Sequence, residues 1–172
     1  MESPSSDPVK ILFVCLGNIC RSPLAEGVFQ HLARTEGASP ALEVDSAGTG
    51  AYHVGEPADA RARRVARDHG IELTGRARQV EPGDLDRFHR IIAMDHENLG
   101  HLHSMKQRFG GRATLHLLRD FDPEARKGDR DVPDPYYGGE DGFQTVFTMV
   151  HRSCRELLRE LHEGEDGPPP LD

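Results

Sequence analysis

The chain has 172 residues, enough to close one domain around a sizeable core, since single domains commonly run to about 100–200 residues. With 21 Lys and Arg against 29 Asp and Glu, its formal charge is −8 when the ten histidines are neutral, which argues against a nucleic-acid partner, whose phosphates attract basic surfaces. The longest apolar run, Ile11 to Leu16, has six residues where a membrane span needs roughly 20, and its flanks are unlike those of a signal sequence.

Met1 to Pro8 carries three Ser, two Pro and two acids and reads as a disordered tail (1–8). A domain over 9–163 follows. Val9 to Cys15, β-branched and aromatic, predicts a buried strand. Pro23 to Thr35 predicts a helix with Ala25, Val28, Phe29 and Leu32 on one face. Next come a strand at Leu42–Ala47, a helix at Asp59–His69 closed by Gly70, and a strand at Arg90–Met94. A helix from His96 to about Met105 and a strand at Arg112–Leu117 follow. In the last helix Phe143, Val146, Phe147, Val150, Cys154, Leu157, Leu158 and Leu161 recur at three- and four-residue steps. Gly164 to Asp172 reads as a second disordered tail (164–172). Alternation of this kind predicts an α/β fold, a three-layer sandwich on a four-stranded, mostly parallel sheet. Ligands of such sheets bind beyond the carboxyl ends of the strands, and the first strand ends at Cys15.

Cys15-Leu16-Gly17-Asn18-Ile19-Cys20-Arg21-Ser22-Pro23 joins that strand to the first helix. Successive N–H groups of a tight turn, with the positive end of a helix, hold a phosphate-sized anion. Gly17 and Asn18 are the residues best able to take the left-handed conformations that such a turn needs. Arg21 can grip two phosphate oxygens with its planar fork. The same positive field favours the thiolate of Cys15, and a thiolate in a phosphate cradle is a nucleophile aimed at phosphorus. Ser22 is placed to donate a hydrogen bond to that sulfur. The nucleotide-binding pattern Gly-x4-Gly-Lys-Ser/Thr is absent.

Val14 to Pro23 resembles the signature of the low-molecular-weight protein tyrosine phosphatases, Cys-x5-Arg-Ser/Thr, at the end of a first strand. The resemblance implies the phosphotyrosine protein phosphatase I-like fold and hydrolysis of phosphotyrosine and other aryl phosphate monoesters through a phosphocysteine. Catalysis would rest on Cys15, Arg21 and Asp134, with Leu16, Gly17, Asn18, Ile19, Cys20 and Ser22 forming the phosphate loop. It implies a tyrosine-phosphorylated protein as partner, a monomer or weak dimer, and a cytoplasmic location.

A departing phenolate needs a proton, so a carboxylic acid is expected across the site from the thiolate. The segment from Asp120 to Asp141 holds eight acids against three bases, dense for a protein that handles an anion unless one acid works there. In Val132-Pro133-Asp134-Pro135-Tyr136-Tyr137-Gly138-Gly139 two prolines stiffen the loop around Asp134, and the family carries its general acid in a matching segment. Asp45-Ser46-Ala47-Gly48 resembles the family segment whose serine, here Ser46, bonds the loop asparagine, here Asn18. Tyr52 falls where relatives carry an aromatic wall residue, and with Tyr136 and Tyr137 it is expected to form a slot for a phenyl ring. Gly75 stands where many relatives have a histidine joined to the Asn/Ser network.

Three cysteines cannot complete a disulfide framework, so a reducing compartment is expected. The resemblance makes Cys20 a trap for oxidised Cys15 as a disulfide; Cys154, on the apolar stripe of the last helix, reads as core. Arg61, Arg63, Arg64 and Arg67 read as a solvated helix face. The histidines lack ligand spacing, so no metal and no cofactor are expected. Two rivals stand beside the phosphatase. An arsenate reductase of the same fold would need a disulfide relay from Cys20 and Cys154, and a phosphotyrosine-binding module would have no use for both Cys15 and Asp134.

Overall fold

A computed structural model describes residues 8–36 and 41–166. Its elements run in chain order β1 (Val9–Cys15), α1 (Arg21–Thr35), β2 (Leu42–Gly48), α2 (Ala60–Asp68), α3 (Asp84–Arg87), β3 (Arg90–Ala93), α4 (His96–Phe109), β4 (Thr114–Leu117) and α5 (Glu140–Asp166). A single 3-10 turn, Leu118–Phe121, follows β4. The strands lie in the order β2-β1-β3-β4, and every ladder between them is parallel. The expected three-layer architecture on a four-stranded sheet is therefore the one observed.

Side chains of a strand alternate between faces, and β1 divides the core accordingly. Ile11, Phe13 and Cys15 join α1, α2 and α5 on one side, while Leu12 and Val14 join Leu85, Phe88 and Leu102 on the other. The whole predicted stripe of α5 is buried, from Phe143 to Leu161, and α1 and α5 pack side by side over the sheet. Each large side chain so buried contributes about 1.5–3 kcal/mol of hydrophobic free energy. Local chemistry sets several ends. Asp59 caps α2 through the Arg61 N–H, Asp95 caps α4 through the Asn98 N–H, and Gly110, at φ 73°, closes α4.

Helix α4 runs to Phe109, past the expected Met105, and β4 begins at Thr114 instead of Arg112. Helix α3 and the 3-10 turn, four residues each, are too short to show a period in sequence. Helix α5 extends to Asp166, so 164–166, expected in the tail, are helical. The rest of that tail and residues 1–7 lie outside the described residues. No described helix is long and apolar enough to cross a membrane.

Candidate active site

The sheet presents β1 at the point where strand order reverses, β2 lying on one side and β3 on the other. That is the switch point at which open α/β sheets hold their ligands. Cys15 ends β1 and Arg21 begins α1, so residues 16–20 turn above the carboxyl end of the sheet. Asn18 has φ 56°, and it alone among the described non-glycine residues has a positive φ. This conformation turns its N–H onto Cys15 Sγ at 3.3 Å. The end of β2 supports the turn from behind, where Thr49 N–H donates to the Cys15 carbonyl and Gly50 N–H to that of Leu16. A Cβ on Gly48 would stand 2.7 Å from the Leu16 carbonyl oxygen, so only glycine lets the strand pass this close.

Side chains then lock the turn. The Asn18 amide accepts from the Arg78 N–H at 2.9 Å, which fixes its orientation, and donates to Ser22 Oγ at 2.8 Å and Ser46 Oγ at 3.0 Å. Ser46 passes its own hydrogen to Glu26 at 2.6 Å. Ser22, fully buried, has its Oγ 3.0 Å from Cys15 Sγ and 3.4 Å from the Ala47 carbonyl. Asn18, Ser22 and Ser46 thus meet in one network. Nothing lies within 4 Å of a Cβ built on Gly75, which borders a small cleft of about 80 Å³ behind the turn with Glu26, Ser46 and Asn18. Without a histidine there, Glu26 ends the network. Burial raises its carboxyl above the ordinary range, with Asp45 adding to the shift and the Ser46 bond and Arg78 opposing it.

Arg21 is 3% exposed and faces the same turn. Its Nη1 donates to Asp95 at 2.6 Å and to the Val132 carbonyl at 3.0 Å, and its Nη2 lies 3.6 Å from Asp134 Oδ2. Burial works against the guanidinium charge, but Cys15 and Asp95 outweigh it and raise the pKa further. Asp134 accepts from the Tyr136 N–H at 3.0 Å, a turn that holds its carboxylate towards the cleft.

These residues line an open cleft of about 510 Å³. Cys15, Leu16, Gly17, Ile19, Cys20 and Arg21 form its floor, and Tyr52, His53, Asp134, Tyr136 and Tyr137 its walls. Tyr136 meets Tyr137 edge-on at 5.0 Å. Tyr52 and Tyr137 are mostly exposed and so stand at the rim of the slot. Cys20 is buried at the N-cap of α1, and desolvation raises its thiol pKa, with the charges of Asp59 and Cys15 adding to it. Cys154 is fully buried in the core, as expected, and burial raises its thiol too.

Sequence reasoning missed Asp95 and His53. Asp95 precedes a helix as any N-cap does, and only the fold brings its second oxygen to Arg21. His53 bonds Glu56 at 3.0 Å and lies 5.9 Å from the Tyr136 ring; its position beside Tyr52 was the available signal. Among the described residues no group of three or more His, Cys, Asp and Glu side chains is placed to hold a metal ion.

Residues 10–166 match the family model for low molecular weight phosphotyrosine protein phosphatase. A low molecular weight protein-tyrosine-phosphatase of Streptomyces coelicolor is 42% identical over 158 residues, covering 92% of this chain and 96% of that one. The crystal structure of YfkJ from Bacillus subtilis superposes with a TM-score of 0.84 at 40% identity, over 92% of this chain and 98% of that one. DARP, a drosophila arginine phosphatase, gives a TM-score of 0.84 at 32% identity, over 89% and 98%. Fold, loop and kinship over nearly the whole length agree, and the chain belongs to the low molecular weight phosphotyrosine protein phosphatases, a family of hydrolase enzymes.

Proposed function

We propose that this protein hydrolyses phosphotyrosine in proteins, and other aryl phosphate monoesters, through a phosphocysteine and without a metal. Cys15 Sγ attacks phosphorus as the P–O bond to the phenol breaks, and Asp134 gives its proton to the departing oxygen. Arg21 and the loop N–H groups hold the three equatorial oxygens, and their charge is in place before the reaction begins. Asp134, now a carboxylate, takes a proton from water as that water attacks phosphorus. The S–P bond breaks, phosphate leaves, and Ser22 donates to the sulfur left as thiolate. The single observation that carries this reading is the convergence of Cys15, Arg21 and Asp134 on one cleft, with Arg21 Nη2 3.6 Å from the carboxylate.

Tyr52, Tyr136 and Tyr137 favour an aryl group over a short phosphoserine side chain. Because one structural relative is an arginine phosphatase, a phosphoarginine peptide belongs beside phosphotyrosine in the assay. Cys154, with no surface exposure, is a poor member of the relay that an arsenate reductase needs. The odd count of three cysteines supports a reducing, cytoplasmic setting, and Cys20, on the same cleft floor as Cys15, is the partner for a reversible protective disulfide.

The test is aryl phosphate hydrolysis in EDTA by the parent and Cys15→Ser. Turnover by the parent and none by the variant is expected. Undiminished turnover by Cys15→Ser, or a parent silenced by EDTA, overturns the mechanism.

A further inference from the structure

The arginines from 61 to 67 were expected on a solvated face, and Arg61, its side chain 31% exposed, is only partly there. It lies at the start of α2 and turns back across Asp59, with Nε 3.0 Å from Oδ1 and Nη2 3.1 Å from Oδ2. From that brace it reaches into the loop that carries Asp134. Nη2 donates to the Tyr136 carbonyl at 3.0 Å, and Nη1 donates to the Gly138 carbonyl at 3.2 Å. The guanidinium carbon lies 4.5 Å from the ring centre of Phe143, fully buried in the first turns of α5, and 5.6 Å from that of Tyr136. One planar cation therefore joins three parts of the molecule: the cap of α2, the loop after Asp134, and α5.

The loop's own bonds are short-range. Gly138 N–H donates to the Pro135 carbonyl and Tyr136 N–H to Asp134. They shape the turn without setting where it stands over the cleft. Val132 fixes the entry, its N–H bonding Met94 and its carbonyl Arg21. Arg61 fixes the exit at residues 136 and 138, with Asp134 between the two anchors.

From this geometry we infer that Arg61 is a positioning residue for the reaction, clamping the 134–138 loop so that Asp134 stands within reach of the leaving-group oxygen. The inference rests on Asp134 being the general acid. Lysine keeps the charge but has one nitrogen, which cannot serve two carbonyls and both oxygens of Asp59 at once.

The experiment measures kcat/KM, which reports formation of the phosphocysteine, for a phosphotyrosine peptide and for an aryl phosphate whose leaving group needs no proton. Arg61→Lys and Arg61→Ala are made in the parent and in Asp134→Ala, with Arg67→Ala, whose side chain is 60% exposed, as control. Thermal melts of each variant establish that it is folded, and Arg61→Lys keeps the test open if Arg61→Ala is not. The expected loss on phosphotyrosine is roughly 10- to 100-fold for Arg61→Ala and smaller for Arg61→Lys, as small misplacements of a catalytic group produce. On the activated substrate it is under about threefold, and in Asp134→Ala the further loss vanishes, because two residues acting as one unit are not additive. Equal losses on both substrates, full additivity with Asp134→Ala, or a wild-type Arg61→Lys overturns the inference. If Asp134→Ala itself loses equally on both substrates, the assignment of the acid fails and takes the clamp with it. If Asp134→Ala discriminates and Arg61→Ala does not, the clamp alone fails.

Discussion

Replacing Asp95 by Asn and, separately, by Ala divides the two contributions of one carboxylate. Oδ1 accepts from the Asn98 N–H at 2.8 Å and caps α4; Oδ2 holds Arg21 Nη1 at 2.6 Å. Asparagine keeps the size and the cap but removes the charge facing Arg21. A hydrogen bond to a charged group is worth roughly 1.5–3 kcal/mol, and Arg21 at 3% exposure has little water to replace it. If about 2 kcal/mol of that preorganisation is lost in the transition state, kcat/KM falls about 30-fold, at about 1.4 kcal/mol per factor of ten. Alanine also removes the cap, worth about 1 kcal/mol and roughly 2–4 °C of Tm in a chain this long. The two variants should therefore share the same loss of kcat/KM on an aryl phosphate and differ in urea or thermal stability. Wild-type kcat/KM in Asp95→Asn would refute the reasoning, since it means that the carboxylate only caps the helix.

Four further outcomes follow from the same contacts. Glu26→Gln should stabilise the protein at neutral pH, because burial holds the native carboxyl pKa above its unfolded value. The native state's preference for the protonated form is fully present below the unfolded value and is lost as pH rises through the folded one, so the Tm gain should shrink as pH falls towards about 4. Asp122, whose side chain has no exposure, accepts from Arg152 at 2.7 Å and Arg119 at 2.9 Å; Asp122→Ala should cost about 3 kcal/mol, or roughly 6–12 °C of Tm. Gly48→Ala should lower phosphatase activity more than it lowers Tm, since the added Cβ presses on the Leu16 carbonyl within the loop; unchanged activity would show that the strand can yield. Cys20→Ser should recover less activity than the parent when thiol is added after peroxide, and equal recovery would dismiss the disulfide.

The features that were legible in sequence are contiguous in the chain. The run from Val14 to Pro23 places an anion loop between strand and helix, and the stripe of α5 states its period over five turns. Features made across the fold were hidden. Glu26 lies on the polar side of α1's pattern, Asp95 reads as a cap, and Arg61 as one of a solvated run; each acquires its contact from a distant segment. The acid-rich stretch after Asp120 pointed to chemistry for a partly mistaken reason. Asp120 pairs with Arg130, Asp122 with Arg119 and Arg152, Asp129 with Arg119, and Asp131 with His96. Half of the eight acids are thus held by pairs within the fold, and Asp134 stands out by facing the cleft.

Ser22 Oγ stands between two acceptors with one hydrogen to give. Asn18 occupies one of its lone pairs, which leaves a single free choice, the direction of the O–H bond. On the proposed mechanism it points along the 3.0 Å line to sulfur when that is a thiolate, and when sulfur is bonded to phosphorus it can rotate to the Ala47 carbonyl at 3.4 Å. The sulfur's change of charge would thus be met by a torsion of one light atom within the cradle. On the proposed mechanism a Ser22→Ala enzyme would lose this response together with the Asn18 bond that helps to lock the turn, and its deficit would fall on the step in which the S–P bond breaks.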